Sequence, residues 1–107
     1  MTKVKVFAGA CGFTSVIQVQ SVGQTTVKVR IISACTMLRS MDKAIDELDW
    51  KKGIFNKIPE SVIYRLAGEH IKHTDCPVPC AIIKAIQVEI GAEVPKDVKI
   101  QIQKFNT

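Results

Sequence analysis

The sequence predicts an α+β fold in which residues 1–107 form one domain. We expect a two-layer sandwich, with a four-stranded, mostly antiparallel sheet covered on one face by three helices. The chain of 107 residues is long enough for one two-layer core and too short for two. Apolar residues alternate with polar ones in four segments and recur at helical spacing in three others. These segments follow the order βββαααβ, which is typical of an α+β sandwich.

Three strands are predicted at the start of the chain, at residues 4–8, 15–22 and 26–32. The glycine of "VGQT" suits a hairpin turn between the second and the third. A two-residue loop would mix the faces of these two strands, whereas a three-residue loop places their apolar side chains together, so we predict the longer loop. The inward residues are then Ile17, Val19, Val27, Val29 and Ile31.

Three helices and a last strand follow. Ser33 is a suitable N-cap for the first helix, which should end near Trp50, before Gly53. Pro59 suits the first turn of the second helix, and Gly91 suits the left-handed cap that ends the third. The predicted bounds are 33–50, 59–73 and 79–91 for the helices and 97–105 for the strand.

Charge limits the classes of partner. The formal net charge of +5 would attract an anionic partner, but the basic strand residues occupy alternate positions, as on the solvated face of a sheet. Few aromatic residues are present to stack on bases, and no RNA-binding signature is found, so we do not expect nucleic acid as a partner. The basic outward residues are Lys3, Lys5, Lys28, Arg30 and Lys99.

No targeting or membrane segment is recognised. The N-terminal "MTKVKVFAGACGF" interleaves lysine with valine, and no later segment approaches the roughly 18 apolar residues of a membrane span. We therefore expect a cytoplasmic protein with no membrane partner. In a reducing cytosol, four cysteines are more typical of metal binding or redox chemistry than of disulfides.

The order of the elements predicts that the four cysteines meet at one rim of the sheet. The first strand ends beside Cys11 and the third ends beside Cys35, and the hairpin register sets Cys35 level with residue 11 or 13. If the first helix descends and the second climbs, "HTDCPVPC" brings Cys76 and Cys80 to the same edge.

The surroundings of these cysteines suit thiolate and metal chemistry. Cys35 and Cys80 fall near predicted helix starts, where free N–H groups and the helix dipole favour a negative sulfur. Pro77 and Pro79 restrict the residues before them and hold Cys76 ahead of the third helix. We predict that the cysteines bind an iron–sulfur cluster or a zinc ion. The predicted ligands are Cys11, Cys35, Cys76 and Cys80, with His73 in reserve.

Two alternatives stay open. In one, the protein is a thiol or persulfide sulfur carrier with Cys76 as the reactive residue and Cys80 as the resolving thiol. In the other, the cysteines are inert and the protein is a non-catalytic interaction module that uses its basic sheet face. No phosphate loop, Gly-x-Ser-x-Gly elbow or His-Glu-x-x-His pair is present, so we do not expect a stand-alone enzyme. The expected partner is a redox or sulfur-transfer protein.

Two resemblances add to this interpretation. "CPVP" followed by a helix resembles the Cys-Pro-x-Pro motif of TusA-like sulfur carriers, which implies a persulfide on Cys76. That family places its motif first, whereas here it lies near the end of the chain. With "ACGF", "ISAC" and "CPVPCAIIKA", the whole chain resembles small four-cysteine domains of unknown function from anaerobic prokaryotes.

Overall fold

A computed structural model describes residues 1–106 of the chain. Two single 3₁₀ turns, Gly9–Cys11 and Ile58–Glu60, lie between the main elements. Within the described residues the strands are β1 (Thr2–Phe7), β2 (Thr14–Ser21), β3 (Thr26–Ile32) and β4 (Glu47–Asp49), and the helices are α1 (Thr36–Ala44), α2 (Val62–His70) and α3 (Val78–Glu89).

The sheet has the order β1-β2-β3-β4, and every neighbouring pair is antiparallel. Between β2 and β3, Ile17 lies opposite Ile31 and Val19 lies opposite Val29. The N–H of Val22 donates to the carbonyl of Thr26, which leaves residues 23–25 as the loop. The predicted three-residue loop and the predicted inward face are therefore confirmed.

The core lies between one face of this sheet and the helices. α3 packs on β1 and β2, α1 packs on β3, and α2 packs against both helices. The opposite face of the sheet carries Lys3, Lys5, Lys28 and Arg30, all exposed. The predicted α+β two-layer fold is confirmed. Its largest fully buried side chains are Ile17, Met41, Ile54, Ile63, Ile82 and Ile86.

The fourth strand differs in position from the prediction. It is β4, which pairs with β3 through only three residues, whereas the predicted strand 97–105 has no strand pairing in the structure. α1 ends at Ala44, and Ile45 adopts an extended conformation (φ −94°, ψ 138°). Ile45 is buried and Leu48 is half-buried. Both residues would also face inward if α1 continued to Trp50. The apolar spacing alone therefore does not distinguish a longer helix from a helix followed by a strand.

The bounds of the other two helices also differ from the predicted ones. A 3₁₀ turn precedes α2, and that helix ends at His70, three residues before the predicted end. α3 begins at Val78 with Pro77 as N-cap, so Val78 is helical although proline follows it. Proline is tolerated there because the N–H groups of a first helical turn have no partner within the helix. Within residues 1–106, no helix has both the length and the apolar character needed to cross a bilayer.

Candidate functional site

Three of the four cysteines line one cavity of about 100 Å³ at the rim of the sheet, which we call the rim cavity. Cys11 comes from the 3₁₀ turn after β1, Cys35 from the residue before α1, and Cys76 from the turn before α3. His73 and Asp75 line the same cavity. The remaining lining residues are Ala8, Ala10, Phe13, Ser15, Met37, Leu38, Ile71 and Pro77.

The hairpin register places Cys11 and Cys35 together. Val16 lies opposite Ile32, and continuing this register sets Cys35 level with Phe13, as the sequence predicted. The N–H of Ala8 donates to the carbonyl of Phe13 (N···O 3.0 Å), which closes the loop that carries Cys11. Gly12 follows at φ 78°, a left-handed conformation that favours glycine. The ends of β1 and β3 therefore bring two thiols to one rim.

The segment between α2 and α3 supplies the other side of the cavity. The N–H of Cys76 donates to the carbonyl of His73 (3.2 Å), so a tight turn holds these two residues together. The N–H of Lys72 donates to the Sδ of Met37 (3.4 Å), which fastens the start of this segment to α1. α1 thus positions the segment that carries His73 and Cys76.

Cys80 does not line the rim cavity. It is exposed, and it lies two residues inside α3. Burial and then the neighbouring charge of Cys80 raise the pKa of Tyr64, so Cys80 interacts with a residue of α2 that is outside the cavity. The structure therefore brings together Cys11, Cys35, Cys76 and the reserve residue His73.

The electrostatics of the rim cavity centre on Cys76. Burial raises the pKa of Cys76, a hydrogen bond from the N–H of Val78 lowers it, and the charges of Cys35, Cys11 and Asp75 raise it. The net result is a pKa above the usual range of a thiol. Among the lining residues that the structure describes, none is lysine or arginine. Anionic sulfur therefore gains no lysine or arginine partner in this cavity.

The thiols do not form a finished ligand set. Over residues 1–106, no three His, Cys, Asp or Glu side chains stand close enough together to hold a metal ion without rearrangement. All four cysteines are free. Because Cys11 is exposed and the other two cavity cysteines are only half-buried, their side chains have room to rotate.

Two serine residues support this site. The sequence predicted Ser33 as the N-cap of the first helix, a position that Cys35 occupies in the structure, and it did not single out Ser15. Ser15 is 1% exposed and donates its hydroxyl to the Oγ of Ser33 (2.8 Å). The same Oγ accepts the N–H of Cys35 (3.1 Å), so the pair fixes the backbone that carries Cys35. A polar residue at an inward position of β2 is the signal that identifies Ser15.

These features define a small α+β domain with a thiol-lined cavity at the open rim of its sheet. The chain belongs to a family of unknown function, DUF6951, whose family model matches residues 2–102. The prediction that the chain falls in a family of unknown function is thereby confirmed. Comparison with curated proteins and with solved structures gave no match.

Proposed function

We propose that this protein binds a thiophilic metal centre in the rim cavity through Cys11, Cys35 and Cys76, with His73 as the fourth ligand. The observation that carries the proposal is the convergence of three cysteines, from three separate segments, on one cavity. Thiolate and imidazole together are typical ligands of zinc, and thiolates also hold iron–sulfur clusters.

The charge of the cavity supports a cation as its ligand. Repulsion from Cys35, Cys11 and Asp75 contributes to the raised pKa of Cys76. A bound metal ion would replace the thiol protons and turn this repulsion into attraction. An anionic ligand would meet the same charges with no lysine or arginine among the described lining residues to offset them.

The size of the cavity favours a single ion over a large cluster. A volume of about 100 Å³ is enough for a few small ligands such as water molecules, and hence for one metal ion. We therefore propose zinc first and a small iron–sulfur cluster second. Binding requires the cysteine side chains to rotate inward, since no group of three ligands is assembled among residues 1–106.

Anaerobic purification followed by metal and acid-labile sulfide analysis tests the proposal. We expect one metal centre per chain, with acid-labile sulfide only if it is an iron–sulfur cluster. Cobalt titration of the apo protein should give thiolate-to-metal charge-transfer bands, and Cys76→Ser should weaken them. Cys80→Ser is the matched control and should bind as the unaltered chain does. A metal-free protein whose thermal stability is unchanged by zinc or chelator would refute the proposal.

A second candidate is a sulfur carrier that forms a persulfide on Cys76, in contact with a sulfur-transfer protein. The position of Cys76 directly before the first turn of α3 favours this candidate, because the free N–H groups of a helix start stabilise negative charge on a nearby sulfur and offset part of the effect of burial. Incubation with a cysteine desulfurase and cysteine should then add one sulfur atom to Cys76 by mass spectrometry. Addition at Cys76 in a metal-free protein would favour the carrier, and no addition would exclude it.

A further inference from the structure

The segment that follows α3 leaves the body of the protein. Every residue from Val94 to Asn106 is exposed, and none of them belongs to a helix or strand. The described chain measures 53 × 29 × 25 Å, so one axis is nearly twice the others. We call residues 94–106 the C-terminal arm.

The C-terminal arm carries the residue pattern of a strand without the pairing of one. Val98, Ile100 and Ile102 alternate with Lys99 and Gln101, as apolar and polar residues do in a half-buried strand. These three apolar side chains are 60%, 74% and 89% exposed. A row of exposed aliphatic residues at this spacing is typical of a strand that pairs with another molecule.

The direction of the C-terminal arm is fixed at its base. Gly91 adopts φ 78° after the end of α3, and the N–H groups of Ala92 and Glu93 both donate to the carbonyl of Gln87. The Nζ of Lys84 lies 2.9 Å from the Oε1 of Glu93. These contacts hold the chain as far as Glu93, and the arm begins immediately afterwards.

The sheet offers one acceptor of matching length. β1 is an edge strand that pairs only with β2 among the described residues, so the N–H and C=O groups along its outer side are free. Val4 and Val6 of β1 are only half-buried, although their neighbours Ile17 and Val19 are 0% exposed. One more strand beside β1 would cover these valines.

We propose that the C-terminal arm pairs with the free edge of β1 in a second copy of this chain, so that two copies exchange arms in a closed dimer. Val98, Ile100 and Ile102 join Val4 and Val6 on the helix-covered side of the partner sheet. Each copy has one donor arm and one acceptor edge of comparable length, so reciprocal exchange about a twofold axis satisfies both. This inference does not depend on metal binding.

The exchange explains why the arm does not pair with its own β1. The carboxylate of Glu89, at the end of α3, accepts the hydroxyl of Thr2 (2.8 Å), so α3 ends where β1 begins. A strand added there in the same chain would need a reversal of direction directly after Gly91. The hydrogen bonds of Ala92 and Glu93 hold the chain in another course, which leaves the arm for a partner.

Sedimentation velocity over a wide range of protein concentration tests the dimer. The intact chain should sediment at twice its mass of 11.8 kDa, and a chain that ends at Glu93 should sediment as a folded monomer. Ile100→Asp should abolish the dimer because it places a charge on the covered side. Gln101→Asp is the matched control and should leave the dimer intact, because its side chain faces solvent.

Hydrogen exchange provides a second measurement. The outer amides of β1 should be protected in the intact chain and should exchange faster after truncation at Glu93, while β2 and β3 stay protected. A monomeric intact chain would overturn the proposal. A dimer that persists in the truncated chain, or one that Ile100→Asp and Gln101→Asp weaken equally, would also overturn it.

Discussion

At the scale of single residues, the carboxylate of Glu89 connects three parts of the fold. Its Oε1 accepts the hydroxyl of Thr2 and its Oε2 accepts the N–H of Ser21, each at 2.8 Å. The N-terminal amino group lies 3.6 Å from Oε1, and the Glu89 side chain is only 7% exposed. Burial alone would raise the pKa of Glu89, but these hydrogen bonds and the amino group outweigh it and hold the pKa below the usual range.

We expect Glu89→Gln to lower the free energy of unfolding by about 1–2 kcal/mol at neutral pH. Because the folded-state pKa is depressed, the contribution of the ionised carboxylate is present above the unfolded-state pKa of about 4.3. It is lost as the pH falls through the folded-state pKa. Urea unfolding at a series of pH values should show the two proteins converging in acid.

Glu69→Gln controls for the change in net charge, since it removes an exposed carboxylate from α2. The free energies of unfolding of the intact chain and of Glu89→Gln are compared at neutral and at acidic pH. An equal difference at both would contradict this role of Glu89.

The sequence predicted the residues of the rim cavity better than their arrangement. Cys11 and Cys35 follow from the hairpin register, which depends only on local pairing. The position of Cys80 does not follow from local pairing, because it depends on where α3 begins. A shift of one residue along a helix turns a side chain by about 100° around the helix axis. α3 begins at Val78 rather than Pro79, and Cys80 lies outside the cavity.

At the scale of elements, the short strand β4 leaves part of β3 without a strand partner. β4 pairs with residues 26–28, and the carbonyl of Asp46 accepts the N–H of Val29. Farther along β3, the N–H of Ile31 donates to the Oδ1 of Asp42 in α1 (2.7 Å). A helix side chain therefore replaces the missing strand, and it joins α1 to the sheet.

We expect Asp42→Ala to lower the free energy of unfolding by about 1.5–3 kcal/mol, because it leaves a half-buried N–H without its charged acceptor. Asp42→Asn keeps an acceptor oxygen and should recover most of this loss. Asp46→Ala is the control, since only the backbone of Asp46 bonds to β3. Chemical denaturation measures all three, and equal losses for Asp42→Ala and Asp46→Ala would contradict this role.

The end of α1 and the existence of β4 were beyond what the sequence pattern distinguishes. No glycine or proline stops the helix between Ala44 and Trp50. What ends it is the pairing of residues 47–49 with β3, a tertiary contact that local spacing does not encode.

At the scale of the whole molecule, one core between the sheet and three helices supports the fold. Ile82 of α3 is 0% exposed, and Ile32 of β3 is 49% exposed on the uncovered face of the sheet. The alternation of the first three strands was sufficient to predict which face carries the core. The C-terminal arm has the same alternation and yet lies outside the core. Alternation indicates that a segment can form a strand, but it does not identify the strand with which that segment pairs.

We expect Ile82→Ala to lower the free energy of unfolding by about 2–5 kcal/mol, since it removes three side-chain carbons from a closed core. Ile32→Ala should lower the free energy of unfolding by less than about 1 kcal/mol. Thermal and urea unfolding compare the two directly. Similar losses at both sites would mean that the uncovered face is buried in solution.

The shortness of β4 also limits how large an assembly of this protein can become. A sheet with two long open edges can add copies at both ends and grow into a fibre. Here the edge at β4 offers three residues, and the side chain of Asp42 occupies the N–H of Ile31, the next free amide along the same side of β3. Edge pairing at β4 is therefore disfavoured, and the proposed exchange of arms would end at two copies.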